Sequence, residues 1–194
     1  MDNNNNLSLK EVLKTTYKDK SKAEKYFNNN GLSFDRQLSN NTNRVFVNDK
    51  NAVVTFRGTH NLINDIPADL DILLGTKNVF SNRLAESKKF YKNVKEKYPN
   101  HKVSIAGHSL GSYLASNVSN DKNDKIYSYG KGSGLLAPIL DTSKSNEISY
   151  RNRGDLISLT NSSKKNTKIV GGYLNPLLAH SLEVLPSKIK IMQL

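Results

Sequence analysis

Hydrophobic residues recur along this chain at two different periods. Between the Asn clusters at 3–6 and 28–30, the stretch SLKEVLKTTYKDKSKAEKYF places Leu9, Val12, Leu13 and Tyr17 at helical intervals. It predicts two short helices broken near Asp19–Ser21, forming an N-terminal helical segment within residues 1–30. RVFV (44–47) and NAVVTFRG (51–58) flank the turn signal NDK and predict a hairpin or adjacent strands. NRLAESKKFYKNVKEKYP aligns Leu84, Tyr91, Val94 and Tyr98 on one helical stripe that Pro99 stops. KVSIA (102–106) predicts a strand that runs directly into a helix over SLGSYLASNVS, with Leu110, Leu114 and Val118 on one face. KIYSYG, NEISYRN and TKIVGGY supply further strands, and LLAHSLEV a helical or loop segment. Strands alternating with helices, without an internal repeat, predict an α/β fold: a single domain over residues 1–194 with a mostly parallel central sheet flanked by helices and no large cap domain.

The junction between that central strand and its helix reads SIAGHSLGSYLA. A serine between two glycines in a strand–turn–helix setting is the arrangement of a nucleophile elbow. Gly107 and Gly111 lack the Cβ atoms that would collide with strand and helix, so Ser109 Oγ is lifted clear of the sheet and the free N–H groups of the helix start can meet a developing oxyanion. The competing reading is a glycine-flanked helix start with Ser109 as its cap. A serine nucleophile needs a base, and the base needs an orienting acid. Of the four histidines only His180 follows Ser109; His60 and His101 precede the elbow and His108 lies within it. Between Ser109 and His180 the acids include Asp121, Asp124, Asp141, Glu147 and Asp155. Asp121 and Asp124 fall in the polar NDKNDK loop, where exposed charges are ordinary, and Asp141 in a loop before a strand. Asp155 follows the strand ISYRN, at the carboxyl edge where α/β sheets carry their chemistry, and is the preferred acid. A packing histidine and a capping aspartate are the alternatives at these two positions.

Composition narrows the chemistry. The absence of cysteine excludes disulfides, thiolate zinc sites and a cysteine nucleophile. No basic segment followed by an apolar stretch marks a signal peptide, and no apolar run reaches membrane-spanning length, so an intracellular soluble protein is expected. A net charge of +12 implies attraction to phosphate-rich surfaces. The lysines are scattered and not interleaved with aromatic platforms, so a solvated basic face is a commoner explanation than specific nucleic-acid recognition, and peripheral contact with an anionic membrane surface stays open.

With FRGT, GHSLG, RGD and a late histidine in this order, the chain from about Leu32 to Leu185 resembles the class 3 lipases, α/β-hydrolases that cleave acylglycerol or phospholipid esters. LSNNTNRVFVNDKNAVVTFRGTHN is similar to the entry strands and oxyanion loop of compact members, including those carried by large DNA viruses and mobile elements. The resemblance implies Ser109 as nucleophile, Asp155 as acid, His180 as base, and the backbone N–H groups of Thr59 and Leu110 as oxyanion hole, with Gly58 allowing close approach and with no cofactor or metal. The segment 61–75 matches the family's lid: Leu62, Ile63, Ile66 and Leu70 would open onto lipid, or else lie in the core with Asp65, Asp69 and Asp71 outside. Two departures stand out: Ser112 occupies a position where glycine is usual, and the disulfides and long insertions of secreted members are missing. The activity expected is serine ester hydrolysis of lipase or phospholipase type on a lipid ester. The alternative is a non-catalytic module of the same fold that binds lipid or protein.

Overall fold

In the central strands, neighbouring residues belong to different cores. Val53, Ala106 and Tyr127 pack on one face of the sheet, whereas Val54, Ile105 and Ile126 pack on the other. Side chains alternate across a strand, so a run that is apolar at every position is a strand covered on both sides. The computed structural model describes residues 7–58, 77–131, 144–159 and 165–191. Its elements are β1 (Leu7–Ser8), α1 (Leu9–Thr15), α2 (Lys20–Asn28), β2 (Ser33–Phe34), β3 (Asn43–Val47), β4 (Asn51–Phe56), α3 (Lys77–Lys97), β5 (Lys102–His108), α4 (Leu110–Val118), β6 (Lys125–Tyr129), β7 (Glu147–Asn152), β8 (Thr167–Gly171), α5 (Pro176–His180), a 3-10 turn (Leu182–Val184) and β9 (Lys190–Ile191).

Strands β2 to β8 form one sheet in chain order. The β2–β3 and β3–β4 pairs are antiparallel, and every pair from β4 to β8 is parallel, as the pattern of alternating elements predicts. One face is covered by α1, α2 and the segment 182–191, with Leu9, Val12, Leu13, Phe27 and Leu185 in its core, where Phe27 stacks on Phe46 at 3.6 Å between ring centroids. The other is covered by α3 and α4 through Phe90, Val94, Leu110 and Leu114. Strands β1 and β9 form a separate antiparallel pair, Leu7 opposite Ile191. Among the described residues, no helix is long and apolar enough to cross a membrane.

Three details differ from the sequence reading. The first two helices part at residues 16–19 rather than 19–21. Buried Arg44 of β3 donates to the carbonyls of Thr15 (2.6 Å) and Lys18 (2.9 Å), supplying the partners that the end of α1 lacks. The helix expected from Asn82 begins at Lys77. Asp124 is no exposed loop acid; it is buried and accepts from Tyr91, Ser119 and, at 3.4 Å, Lys95.

Leu114 is fully buried under the sheet in the α3–α4 core. Leu114→Ala should lower the unfolding free energy by about 2–5 kcal/mol in urea titrations, with the far-ultraviolet circular dichroism of the native state unchanged.

Candidate active site

The chain turns from β5 into α4 within one residue. Ser109 sits there at φ 56°, ψ −125°, and it is the one non-glycine residue with positive φ among those described. Such a backbone is costly for a residue with a side chain and persists where its surroundings enforce it. Here the enforcement is a close crossing. A Cβ on Gly107 would lie 2.1 Å from the Gly111 carbonyl oxygen, and one on Gly111 would lie 2.2 Å from that of Phe56. Ser112, the residue found where glycine is usual, is fully buried and performs a function of its own. Its Oγ accepts from the Tyr129 N–H (3.1 Å) and lies within donating distance of the carbonyls of Gly107 (2.7 Å) and Tyr129 (3.0 Å), bracing the elbow against β6. Leu110 is the first residue of α4, so its N–H has no acceptor within the helix. Gly58 packs against the elbow closely enough that a Cβ there would meet Ser109 Cβ at 3.3 Å. Thr59 and the lid candidates Leu62, Ile63, Ile66 and Leu70 lie outside the described residues, as does Asp141.

Asp155 and His180 are brought together from the segments that follow β7 and close α5. Both carboxylate oxygens of Asp155 are 3.0 Å from His180 Nδ1, and both residues are buried. A carboxylate only accepts, so the nitrogen facing Asp155 carries a proton, and in the neutral ring Nε2 is then the acceptor. Nε2 is itself buried and has no hydrogen-bond partner among the described residues. Burial raises the pKa of Asp155, but the hydrogen bond and charge of His180, together with donation from Ser158 Oγ (2.6 Å), outweigh it and hold the carboxyl below its ordinary value. The His180 ring packs against Gly130, where a Cβ would lie 3.0 Å from Nδ1. The Ser109 N–H bonds the carbonyl of Tyr129, the residue just before that glycine. Asp155, His180 and the elbow thus share one corner at the carboxyl ends of β5, β6 and β7. The other acids considered from sequence are committed elsewhere: Asp121 to Lys95, Asp124 to Tyr91, Ser119 and Lys95, and Glu147 to Lys131, Ser116 and Ser128.

The backbone around His180 is gripped from the same three strand ends. Tyr129 Oη lies 3.2 Å from the carbonyl of Ala179 and 2.9 Å from that of Ser181, and Asn152 Nδ2 donates to Ala179 at 2.8 Å. His108 Nε2 is 2.9 Å from the carbonyl of His180. A carbonyl cannot donate, so this nitrogen is protonated and Nδ1 accepts from the Tyr17 hydroxyl at 3.0 Å. Burial pushes the Tyr17 hydroxyl pKa up, which keeps it a donor. The sequence assigned no role to Tyr17, Tyr129, Asn152 or Ser158. The available signal was that Tyr129 and Asn152 each end a strand at the sheet's carboxyl edge.

The sequence profile of the Mbeg1-like family matches residues 14–158, three quarters of the chain. The chain belongs to the Mbeg1-like family. The matched stretch contains Ser109 and Asp155 and ends before His180. No curated protein sequence matches the chain. In structure this Mbeg1-like chain is similar to a fungal lipase solved with an inhibitor, at TM-score 0.55 and 15% identity over 85% of this chain and 77% of the lipase. A Yarrowia lipolytica lipase aligns at TM-score 0.41 and 18% identity over 67% of this chain and 59% of its own, and a Penicillium expansum triacylglycerol lipase at TM-score 0.40 and 18% identity over 87% and 80%. The match to the fungal lipase carries the expected α/β-hydrolase fold.

His108 is expected to govern acid stability. Burial, reinforced by neighbouring His180, lowers its pKa to about 3, whereas in the unfolded chain it titrates near the ordinary histidine value of about 6.5. Between these values the unfolded state binds a proton that the native state refuses. The contribution is therefore complete above about pH 6.5 and is lost as pH falls toward about 3, by up to about 1.4 kcal/mol per pH unit. Urea titrations from pH 7 to 4 should show a shallower slope for His108→Gln, which cannot take up this proton; identical slopes would contradict the assignment. Asp155, held below the ordinary carboxylate range, adds a further loss at more acid pH.

Proposed function

We propose that this protein is a serine ester hydrolase of lipase or phospholipase type, acting through an acyl-enzyme on Ser109. The observation that carries the reading is the buried Asp155–His180 pair: the carboxylate orients Nδ1, Nε2 has no hydrogen-bond partner among the described residues, and the ring packs on Gly130, next in the chain to the Tyr129 carbonyl that holds the Ser109 N–H. In this mechanism Nε2 takes the Ser109 hydroxyl proton as Oγ attacks the ester carbonyl, and then returns it to the departing alcohol. Water attacks the acyl-enzyme by the same route, and Asp155 stabilises the imidazolium in both halves. The N–H groups of Leu110 and Thr59 are assigned to the oxyanion.

A lipid ester is favoured by where the apolar surface lies. The strongly exposed large apolar side chains among the described residues all fall between Leu156 and Leu178, the stretch that separates the acid from the base; Leu174 is fully exposed and Leu156 is 63% exposed. Apolar patches grouped in this way mark interaction surfaces, and the +12 charge suits an anionic lipid surface around them.

Fluorophosphonate labelling followed by peptide mapping should modify Ser109. Ser109→Ala should keep the fold and lose short p-nitrophenyl ester hydrolysis by at least about a thousandfold. An unlabelled Ser109, or equal turnover by the two proteins, would leave the non-catalytic lipid- or protein-binding module as the better reading.

A further inference from the structure

A second concave site lies at the other end of α4 from Ser109. Nine helical residues separate the two, about 13 Å at 1.5 Å per residue. The cleft has a volume of about 490 Å³ and is walled by α3, the C-terminal end of α4 and the start of the segment entering β7. Its lining includes Lys88, Lys92, Lys95 and Lys144. The three lysines of α3 stand at i, i+4 and i+7, so they share one side of the helix, where like charges repel.

The carboxylates nearby do not balance this charge. Lys95 takes Asp121 at 2.9 Å and Asp124 at 3.4 Å, and Asp124 is shared with Tyr91 and Ser119. Among the described residues Lys92 pairs with Glu96 at 3.6 Å, with both side chains well exposed, an arrangement of little strength. Lys88 forms no ion pair among the described residues. Lys144 is held by neutral acceptors, the Ser119 carbonyl and Asn120 Oδ1. Burial lowers its pKa, and Lys88 and Lys131 add to the effect against the pull of Glu147 and Asp124. Lys88, Lys92 and Lys144 thus bring three ammonium groups to one concavity whose described lining contains no acidic residue.

The geometry points to this cleft as a binding site for a small anion carrying two or more phosphate groups. A concave wall of one sign focuses the field, its volume lies in the range of small-molecule sites, and a multivalent phosphate relieves the repulsion along α3. The shared chemistry is the phosphate cluster, whether free in solution or at a lipid headgroup. The site is independent of the chemistry assigned to Ser109.

Isothermal titration of the full chain with sodium tripolyphosphate should show saturable binding that weakens as salt is raised. Lys88→Gln/Lys92→Gln should weaken it at least tenfold. Lys20→Gln/Lys22→Gln, which removes the same charge from the exposed surface of α2, should leave it within twofold. Circular dichroism checks that both variants fold. Flotation with phosphatidylcholine vesicles containing phosphatidylinositol bisphosphate, whose headgroup carries more than one phosphate, separates the sources. Vesicle binding that tripolyphosphate displaces and Lys88→Gln/Lys92→Gln abolishes identifies a headgroup, and tripolyphosphate binding without it identifies a soluble anion; either supports the cleft. Equal loss in the two variants would show a general effect of net charge, and that result or the absence of saturable binding would overturn the proposal.

Discussion

The site depends on a set of hydrogen bonds that never touch a reacting atom. The carbonyls of Ala179, His180 and Ser181 are met by Tyr129, Asn152 and His108, side chains at the ends of three adjacent parallel strands. A short helix of five residues has little rigidity of its own. Pinning consecutive carbonyls to the sheet edge fixes the position of its last residue as firmly as the strands themselves. The elbow is fixed to the same edge through the Ser109 N–H and the Ser112 hydroxyl. Acid, base and elbow therefore share one rigid reference, although they arise from distant parts of the chain.

Much of this architecture can be read along the sequence because the sheet is buried on both faces. NAVVTF and KVSIA carry apolar residues on both alternating faces, broken only by Asn51, Thr55, Lys102 and Ser104, and GHSLG follows with two residues that lack side chains, at the point where helix and strand cross too closely for a Cβ. Asp155 and His180 could be singled out by chain order and by the strand before Asp155. Their contact could not, since it depends on how α5 folds back over β6 and β7. The short pairings escaped for another reason: β1, β2 and β9 are two residues each and carry no measurable period. Asp124 was misread because the NDKNDK loop around it is polar, whereas the fold buries its side chain under Tyr91.

Polar side chains in this molecule act largely by terminating backbone. Arg44 takes the carbonyls of Thr15, at the end of α1, and of Lys18 beyond it, Ser112 those of Gly107 and Tyr129, and His108 that of His180. At a buried position such as the His180 carbonyl, a missing partner would cost about as much as a lost hydrogen bond. His108 joins two of these roles, because its second nitrogen receives the Tyr17 hydroxyl and so links the segment after α1 to the elbow and to the base.

The pairing of β1 with β9, reinforced by Ser8 Oγ donating to Ser187 across 179 residues, has a bearing on biosynthesis. On the ribosome, α1 emerges before the sheet, yet the strand and turn that cover its apolar side emerge after it. Leu9, Val12 and Leu13 must therefore wait uncovered while the intervening sheet assembles, a period in which a growing polypeptide is open to association with others. The same delay keeps the histidine away from the serine until the chain has been made through α5, so acid, base and elbow come together only after that segment has emerged.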